Sequence, residues 1–498
     1  MNTPGSSRSS RVAWFFAAGL LASSGVNGAE SAPAPGVGPV TFTEHVAPIL
    51  FQNCTRCHRA GEVAPFPLLT YEDARRRGRQ IAEVTARREM PPWHAERGDV
   101  AFSNERRLTD AQIGVLAAWH RQGMPEGDRS KLPPAPRFPE GWQLGTPDLV
   151  LKMDEAFLVP AEGPDIYWNF VFPLNLPEGK FVKAIEFRPG ARTVVHHALY
   201  FLDTNGVARG YDQRDPKPGY NGGKRSNRQF QWLGGWAVGG EALMLPPELA
   251  WKFPTNSDIV LQTHYHPSGK PEQDRSMLAV YFSDRPPTRR FTMLQVPPLF
   301  GRLNGLDIPA GASRYTVRDA MVLPVDVEAF SVTPHAHYLG KSFQLTATLP
   351  DGPTRTLLKV PDWDFKWQED CAFREPLRLP KGTRLEASIT YDNSADNPNN
   401  PTRPPRRVRW GPNTTDEMAS FTLGVMPVRN EDQAALEKAQ ELHIVDLFID
   451  RAQEDTRRRE QVQMVVATFD KNGNGRIDAD ERGPLRAFIL QSGFLRGL

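Results

Sequence analysis

Six of the chain's 11 histidines fall in three short fragments, "HHALYF", "LQTHYH" and "PHAHYLG". They are His196 with His197, His264 with His266, and His335 with His337. A lone histidine in a strand is usually a hydrogen-bonded structural residue, whereas three close pairs ask for a shared task. Strand side chains two residues apart lie on one face. His335 and His337 therefore form a bidentate metal site, and His264 with His266 have the same spacing. His196 and His197 are adjacent and point to opposite faces, so both reach one ion only near a strand end or a bulge. Imidazoles spaced in this way predict zinc or copper and leave open which of them share an ion.

A second constellation is "CTRCH", with Cys54, Cys57 and His58. This spacing lets both thiols bond one porphyrin while the adjacent histidine binds its iron. It predicts covalent haem c. A redox or zinc pair is the alternative, and the directly following histidine and lack of a second cysteine pair argue against it. The sixth iron ligand is open among Met90, in "REMPPWHAERG", His94, His120 and Met124. The segment resembles small bacterial cytochrome c domains, where a methionine near a proline is the usual distal ligand. That resemblance favours Met90.

The third is "DKNGNGRIDADE", from Asp470 to Glu481. Asp470, Asn472, Asn474, the carbonyl of Arg476, Asp478 and Glu481 supply oxygens at the spacing of an EF-hand calcium loop, and Gly475 allows its sharp turn. The flanking "EQVQMVVATF" and "GPLRAFILQSG" read as helices. Two asparagines in place of aspartates lower the loop's charge and predict moderate calcium affinity. With no second loop to pair with, it either dimerises or packs on neighbouring β structure.

The elements that must position these residues change character along the chain. A length of 498 residues implies several domains. Residues 40–128 read as short helices, including "LTDAQIGVLAAWHRQG", which opens on a capping threonine and stops at a glycine. Residues 129–142 are a proline-rich linker. Short alternating runs separated by Pro, Gly, Asn and Asp fill 143–285 and 286–428, the pattern of two β-sandwiches in tandem. Residues 430–498 turn helical and charged. The fold class expected is multidomain and mainly β, with a small all-α segment first and a helical EF-hand segment last. The 46 prolines fit many short strands joined by rigid turns.

With 60 basic and 58 acidic residues, the chain has no basic footprint for nucleic acid. Arg8 and Arg11 precede "VAWFFAAGLLASSGV", an apolar run shorter than the roughly 20 residues of a spanning helix. Residues 1–29 thus read as an export signal peptide, and the protein is expected in the periplasm or secreted. It is not an integral membrane protein unless the signal stays uncleaved as an anchor. Cys371 is the one cysteine outside "CTRCH", so no disulfide framework is expected.

"VVHHALYF", "LQTHYH", "PHAHYLGK" and "TTDEMASF" occur in the order found in the type II copper, ascorbate-dependent monooxygenases, relatives of peptidylglycine α-hydroxylating monooxygenase and dopamine β-monooxygenase. The resemblance covers roughly 145–428. It implies two tandem jelly-roll sandwiches, each holding one copper ion. Carried over residue by residue, His196, His197 and His264 match the copper that stores and passes an electron. His335, His337 and Met418 match the copper at which O2 is reduced beside the substrate, with Met426 as the alternative thioether. His266 has no counterpart ligand. The implied activity is insertion of one oxygen atom of O2 into a C–H bond of a small-molecule or peptide-like substrate. Electrons come from an external donor, ascorbate or a redox protein, and the fused haem is a relay in this chain. The disulfides of the animal enzymes are missing. A non-catalytic copper and haem electron-transfer protein is the alternative function, and a zinc hydrolase a third.

Overall fold

The computed structural model describes residues 39–498 except 61, 63, 139–140, 223–228, 238–239, 241, 369, 455–466 and 493–498. The expected signal peptide and most of the helix expected before the calcium loop lie outside the described residues. The chain is mainly β with a few helices. Among the described residues no helix is long and apolar enough to cross a membrane.

The helical segment begins with a π-turn at Phe42–Val46 running into α1 (Ala47–Asn53), followed by α2 (Tyr71–Ala86) and α3 (Asp110–Arg121). Thr70 with Asp73, and Thr109 with Gln112, form reciprocal capping boxes that satisfy the first free N–H groups of α2 and α3. Phe42, Leu50, Leu116 and Trp119 close a small core between them. The cysteine motif was expected to be helical. It lies instead in turns, because α1 ends at Asn53.

Two five-stranded antiparallel sheets follow. One runs in the order Leu149–Lys152, Met277–Phe282, Lys180–Arg188, Leu243–Met244, with Trp251–Phe253 also paired to Lys180–Arg188. The other runs Tyr220–Asn221, Ile166–Pro173, Asp258–Tyr265, Val195–Asp203, Gln231–Ala237. Phe170, Tyr200 and Leu261 from one sheet and Ile185, Phe187 and Val280 from the other share one apolar core.

After residues 283–291 come two four-stranded sheets. These are Thr292–Val296, Ser420–Pro427, Val327–His335, Cys371–Leu379, and Tyr315–Val322, Arg384–Tyr391, Gly340–Thr348, Thr354–Val360. Their facing side chains, among them Leu294, Val332, Leu423, Val317, Leu345 and Leu385, form a second core. Arg384–Tyr391 alternates exposed and buried, as a strand with one wet face must. Ser420–Pro427 is buried at every position, and its Met426 belongs to the core of the preceding sheets.

Trp93, Ala95 and Phe102, which the sequence places in the helical segment, pack in this second core. Phe102 bridges Phe373, Ser103 N–H donates to the Ala372 carbonyl at 2.9 Å, and Glu96 N–H donates to the Lys359 carbonyl at 2.7 Å. The linker also lies back on the helical segment, with Phe138 under the Arg59 guanidinium at 3.8 Å and Lys131 paired to Glu44 at 2.9 Å. The helix Gln433–Glu454 sets Leu436 in the second core, and His443 contacts Asp319 at 2.8 Å. The oxygen-rich loop segment packs in turn on this helix, with Ile477 beside Val445 and Ile449.

Candidate metal centres

His196 is the extra residue of a β-bulge. Along the Val195–Asp203 and Asp258–Tyr265 pair, His264 lies opposite His197 and Tyr265 opposite Val195, so His196 has no partner in the ladder. The condition for adjacent histidines to share an ion is thereby met. His197 Nδ1 lies 3.2 Å from His196 Nδ1 and 3.1 Å from His264 Nδ1. In the tautomers that carry the proton on Nε2, the three Nδ1 lone pairs face one small volume. Ligand nitrogens of the three residues lie within 4.8 Å of one another, and among the described residues this is the one such group of His, Cys, Asp and Glu.

The surroundings hold these rings neutral. Burial pushes His196 down to about 4 and His197 well below its ordinary value, and burial likewise lowers His264. A neutral imidazole is the form that binds a metal. Tyr167 stacks on His264 at 4.4 Å with the ring planes 9° apart. Behind His264, Asp165 Oδ2 lies 3.0 Å from Nε2, off the axis of a directed hydrogen bond, so the contact is chiefly electrostatic. Burial opposes ionisation of Asp165, but contacts with His264, Thr414 and His266 outweigh it and hold the carboxyl well below the usual range.

His266 does not join this group. The strand ends at Tyr265, so the same-face spacing with His264 stops applying one residue early. His266 is 64% exposed and its Nδ1 meets Asp165 Oδ1 at 2.7 Å. The pair is linked through a carboxylate and does not point at a common ion.

His335 and His337 do face one another, with ring centroids 5.4 Å apart and planes at 89°. His335 Nδ1 lies 2.7 Å from Gln368 Oε1, and Gln368 Nε2 donates to the Phe365 carbonyl, which fixes the amide's orientation. His337 Nδ1 donates to the Asp416 carbonyl at 3.1 Å. With both Nδ1 atoms acting as donors, the lone pairs sit on the two Nε2 atoms. This is the arrangement by which an outer group fixes a ligand's tautomer. Burial holds His335 at about 4 and His337 at about 3.

Met418 follows Glu417, a fully buried carboxylate that accepts from His337 N–H at 2.8 Å and Leu339 N–H at 2.6 Å. Burial raises Glu417 to about 8, although backbone donors pull the other way. Glu417 thereby ties the "HAHYLG" turn to the backbone that bears Met418. Gly340 closes that turn because a Cβ there would stand 2.7 Å from the Trp363 ring. Met418 is half-buried, and its carbonyl accepts from Tyr391 Oη at 2.6 Å. Met426, the alternative thioether, is wholly enclosed in core.

In the cysteine motif Cys54 and Cys57 are unbridged, and His58 Nδ1 donates to the Phe66 carbonyl at 3.1 Å, leaving Nε2 for iron. The donor set fits a covalent haem. Of the distal candidates, His94 is half-buried and bonded to the Asp362 carbonyl at 3.2 Å. Met124 packs its sulfur over Gly78 against Trp119. Met90 is half-buried beyond the end of α2, and His120 has a buried Nδ1 without a hydrogen-bond partner.

The loop Asp470–Glu481 has Gly475 at φ +81°, as its turn requires. Asp470 accepts from the N–H groups of Gly473 and Gly475, Asn474 accepts from Arg476 N–H, and Glu481 accepts from Lys471 N–H at 2.6 Å. The set of oxygens fits a hard cation. Ile477 packs with Val445, Ile449, Leu485 and Ile489.

Asp165, Tyr167, Gln368, Asp416 and Phe365 escape a reading by spacing, since each acts across long sequence separation. Glu417 alone carried a signal, through its place beside Met418.

No family model matches the sequence, and no curated protein matches it significantly. Among solved structures, the chain is similar to the infectious bursal disease virus VP2 subviral particle at 11% identity and a TM-score of 0.18, covering 58% of this chain and 73% of that one. It is similar to recombinant PNGase F at 9% identity and a TM-score of 0.23, covering 56% and 95%. Likenesses this distant carry no argument about function.

Proposed function

We propose that the chain is an exported, copper-dependent monooxygenase. It inserts one oxygen atom of O2 into a substrate C–H bond and releases the other as water, consuming two electrons and two protons. Two copper ions, a covalent haem c and calcium are its proposed cofactors, and the two pairs of sheets are its jelly-roll sandwiches. The carrying observation is the convergence of His196, His197 and His264 Nδ1 atoms, beside a second pair, His335 and His337, whose Nδ1 atoms are already spent as donors.

Copper held at such sites supplies one-electron redox chemistry, which imidazole ligands suit in both oxidation states and a thioether biases towards Cu(I). The chain's own residues do the rest. Asp165 steadies His264 from behind; Gln368 and the Asp416 carbonyl fix the tautomers of His335 and His337. Glu417 keeps Met418 and the "HAHYLG" turn together. Cys54, Cys57 and His58 hold the haem, and Glu62, four residues on, pairs with Arg192 at 2.9 Å just ahead of the strand that carries His196. Electrons from an external donor are thus proposed to enter through the haem segment.

The test is metal analysis followed by anaerobic reduction, admission of O2 with a small-molecule library, and mass spectrometry of products. Two coppers per chain and an oxygen-18-labelled product support the reading. Zinc without copper sinks it in favour of a hydrolase, and copper without O2-dependent product leaves only electron transfer.

A further inference from the structure

The connection between strands Thr354–Val360 and Cys371–Leu379 is fastened to the second histidine pair. Trp363 Nε1 donates to the His337 carbonyl at 3.2 Å, and Gln368 holds His335. From this same loop Phe365 reaches the other group. Its ring stacks on His196 with centroids 4.8 Å apart and planes at 20°, and stands edge-on to His337 at 5.7 Å and 77°. Among the described residues, it is the one ring in contact with a histidine of each group. Tyr338 also packs against the Phe365 ring, with centroids 4.6 Å apart.

His196 needs such a neighbour. As the bulged residue it has no partner on Asp258–Tyr265 to set its ring, yet its Nδ1 must stay within 3.2 Å of His197 Nδ1 for three nitrogens to converge. A flat ring stacked on its face removes the freedom to turn. A second contact crosses the same gap, since Thr414 Oγ1 donates to Asp165, two residues before the carbonyl that holds His337.

We propose that Phe365 is a positioning residue of a composite site: supplied by the second pair of sheets, it sets the His196 ring in the first and fixes the spacing of the two histidine groups. This rests on the reading of the groups as two copper centres. Phe365 supplies no ligand and touches no reacting atom, so its removal should change geometry and leave metal count intact.

The test uses the full chain loaded with copper(II) alone, in wild type, Phe365→Leu and Phe365→Tyr. At saturating copper all three should bind two equivalents. Phe365→Leu should change the electron paramagnetic resonance hyperfine pattern of the three-histidine copper and broaden the copper–copper dipolar distance distribution, and Phe365→Tyr should restore both. Spectra and distances identical in all three variants overturn the proposal while leaving the copper reading untouched. If the wild type binds fewer than two coppers, the copper reading fails, and Phe365 is judged on metal-free protein by amide hydrogen exchange. There Phe365→Leu should speed exchange of the peptide carrying His196 and His197 by up to about tenfold, the scale of one lost ring pair. Leu345→Ala, a truncation in the second core away from the gap, serves as control. Equal exchange of that peptide in Phe365→Leu and the control overturns the proposal.

Discussion

Asp165 grips His264 from the side opposite its cluster: Oδ2 lies 3.0 Å from Nε2, while Nδ1 of the same ring lies 3.1 Å from His197 Nδ1. The carboxylate therefore raises the basicity of the nitrogen that faces the cluster without touching an ion there. Asp165→Asn should lower copper affinity at the three-histidine site by about 10- to 100-fold, the usual effect of losing such an outer group. Chelator competition measures it. Unchanged affinity would show that the contact is only structural.

The two candidate thioethers separate by their surroundings. Met418→Ile should keep the fold and the three-histidine copper but lose turnover and weaken the second copper. Met426→Ala should do the reverse, costing about 2–5 kcal/mol of stability as a core truncation and sparing both metals. Thermal melts beside copper counts decide between them. Full activity in Met418→Ile removes Met418 from the site.

Metal-free protein should weaken as pH falls from 6.5 towards 4. His335 and His196 titrate near 4 in the folded chain and near 6.5 in the unfolded one. In that window the unfolded state binds protons that the folded state refuses, so stability rises with pH. Each histidine contributes about 1.4 kcal/mol per pH unit at most. His335→Gln should flatten the slope of denaturant midpoint against pH. A wild-type slope of zero across this window would contradict the burial of neutral imidazoles.

Calcium should stabilise the C-terminal segment by about 2.7 kcal/mol at 100 times its dissociation constant. Asp478→Ala should abolish that gain and change little in chelator. Glu481→Gln should cost stability in both conditions, because the buried Glu481 carboxylate also accepts from Lys471 and Asn472 N–H groups. Calorimetry with and without calcium checks this. Identical melting of the wild type in both conditions would mean that the loop binds no calcium.

What could be read along the chain was whatever chemistry is written in short spacings. "CTRCH", the oxygen-rich loop from Asp470 to Glu481 and the histidine fragments are local patterns, as is the capping threonine of α3. The requirement for a bulge at His196 followed from adjacency, though its register needed the pairing with His264. Spacing misled at His266, where the strand stops at Tyr265 and the period of two no longer holds. It was silent on Asp165, Gln368 and Phe365, whose roles depend on partners brought close by sheet pairing and loop packing. It was also silent on Trp93 and Phe102, because a proline-broken stretch gives no sign of the core that will accept it.

That last segment bears on how the chain can be made. Asn104 Nδ2 bonds the Asp370 carbonyl and its Oδ1 the Ala372 N–H, across 266 and 268 residues. During synthesis Trp93 and Phe102 emerge long before the strand that covers them, leaving two large aromatic surfaces without shelter. Contacts so distant in sequence close slowly, and a nascent chain exposing them is prone to aggregate. A fragment cut after residue 128 would keep α1–α3 and their small core but carry those rings bare. Production of the helical part by itself therefore calls for polar replacements at Trp93 and Phe102, or for co-expression with the later half that shields them.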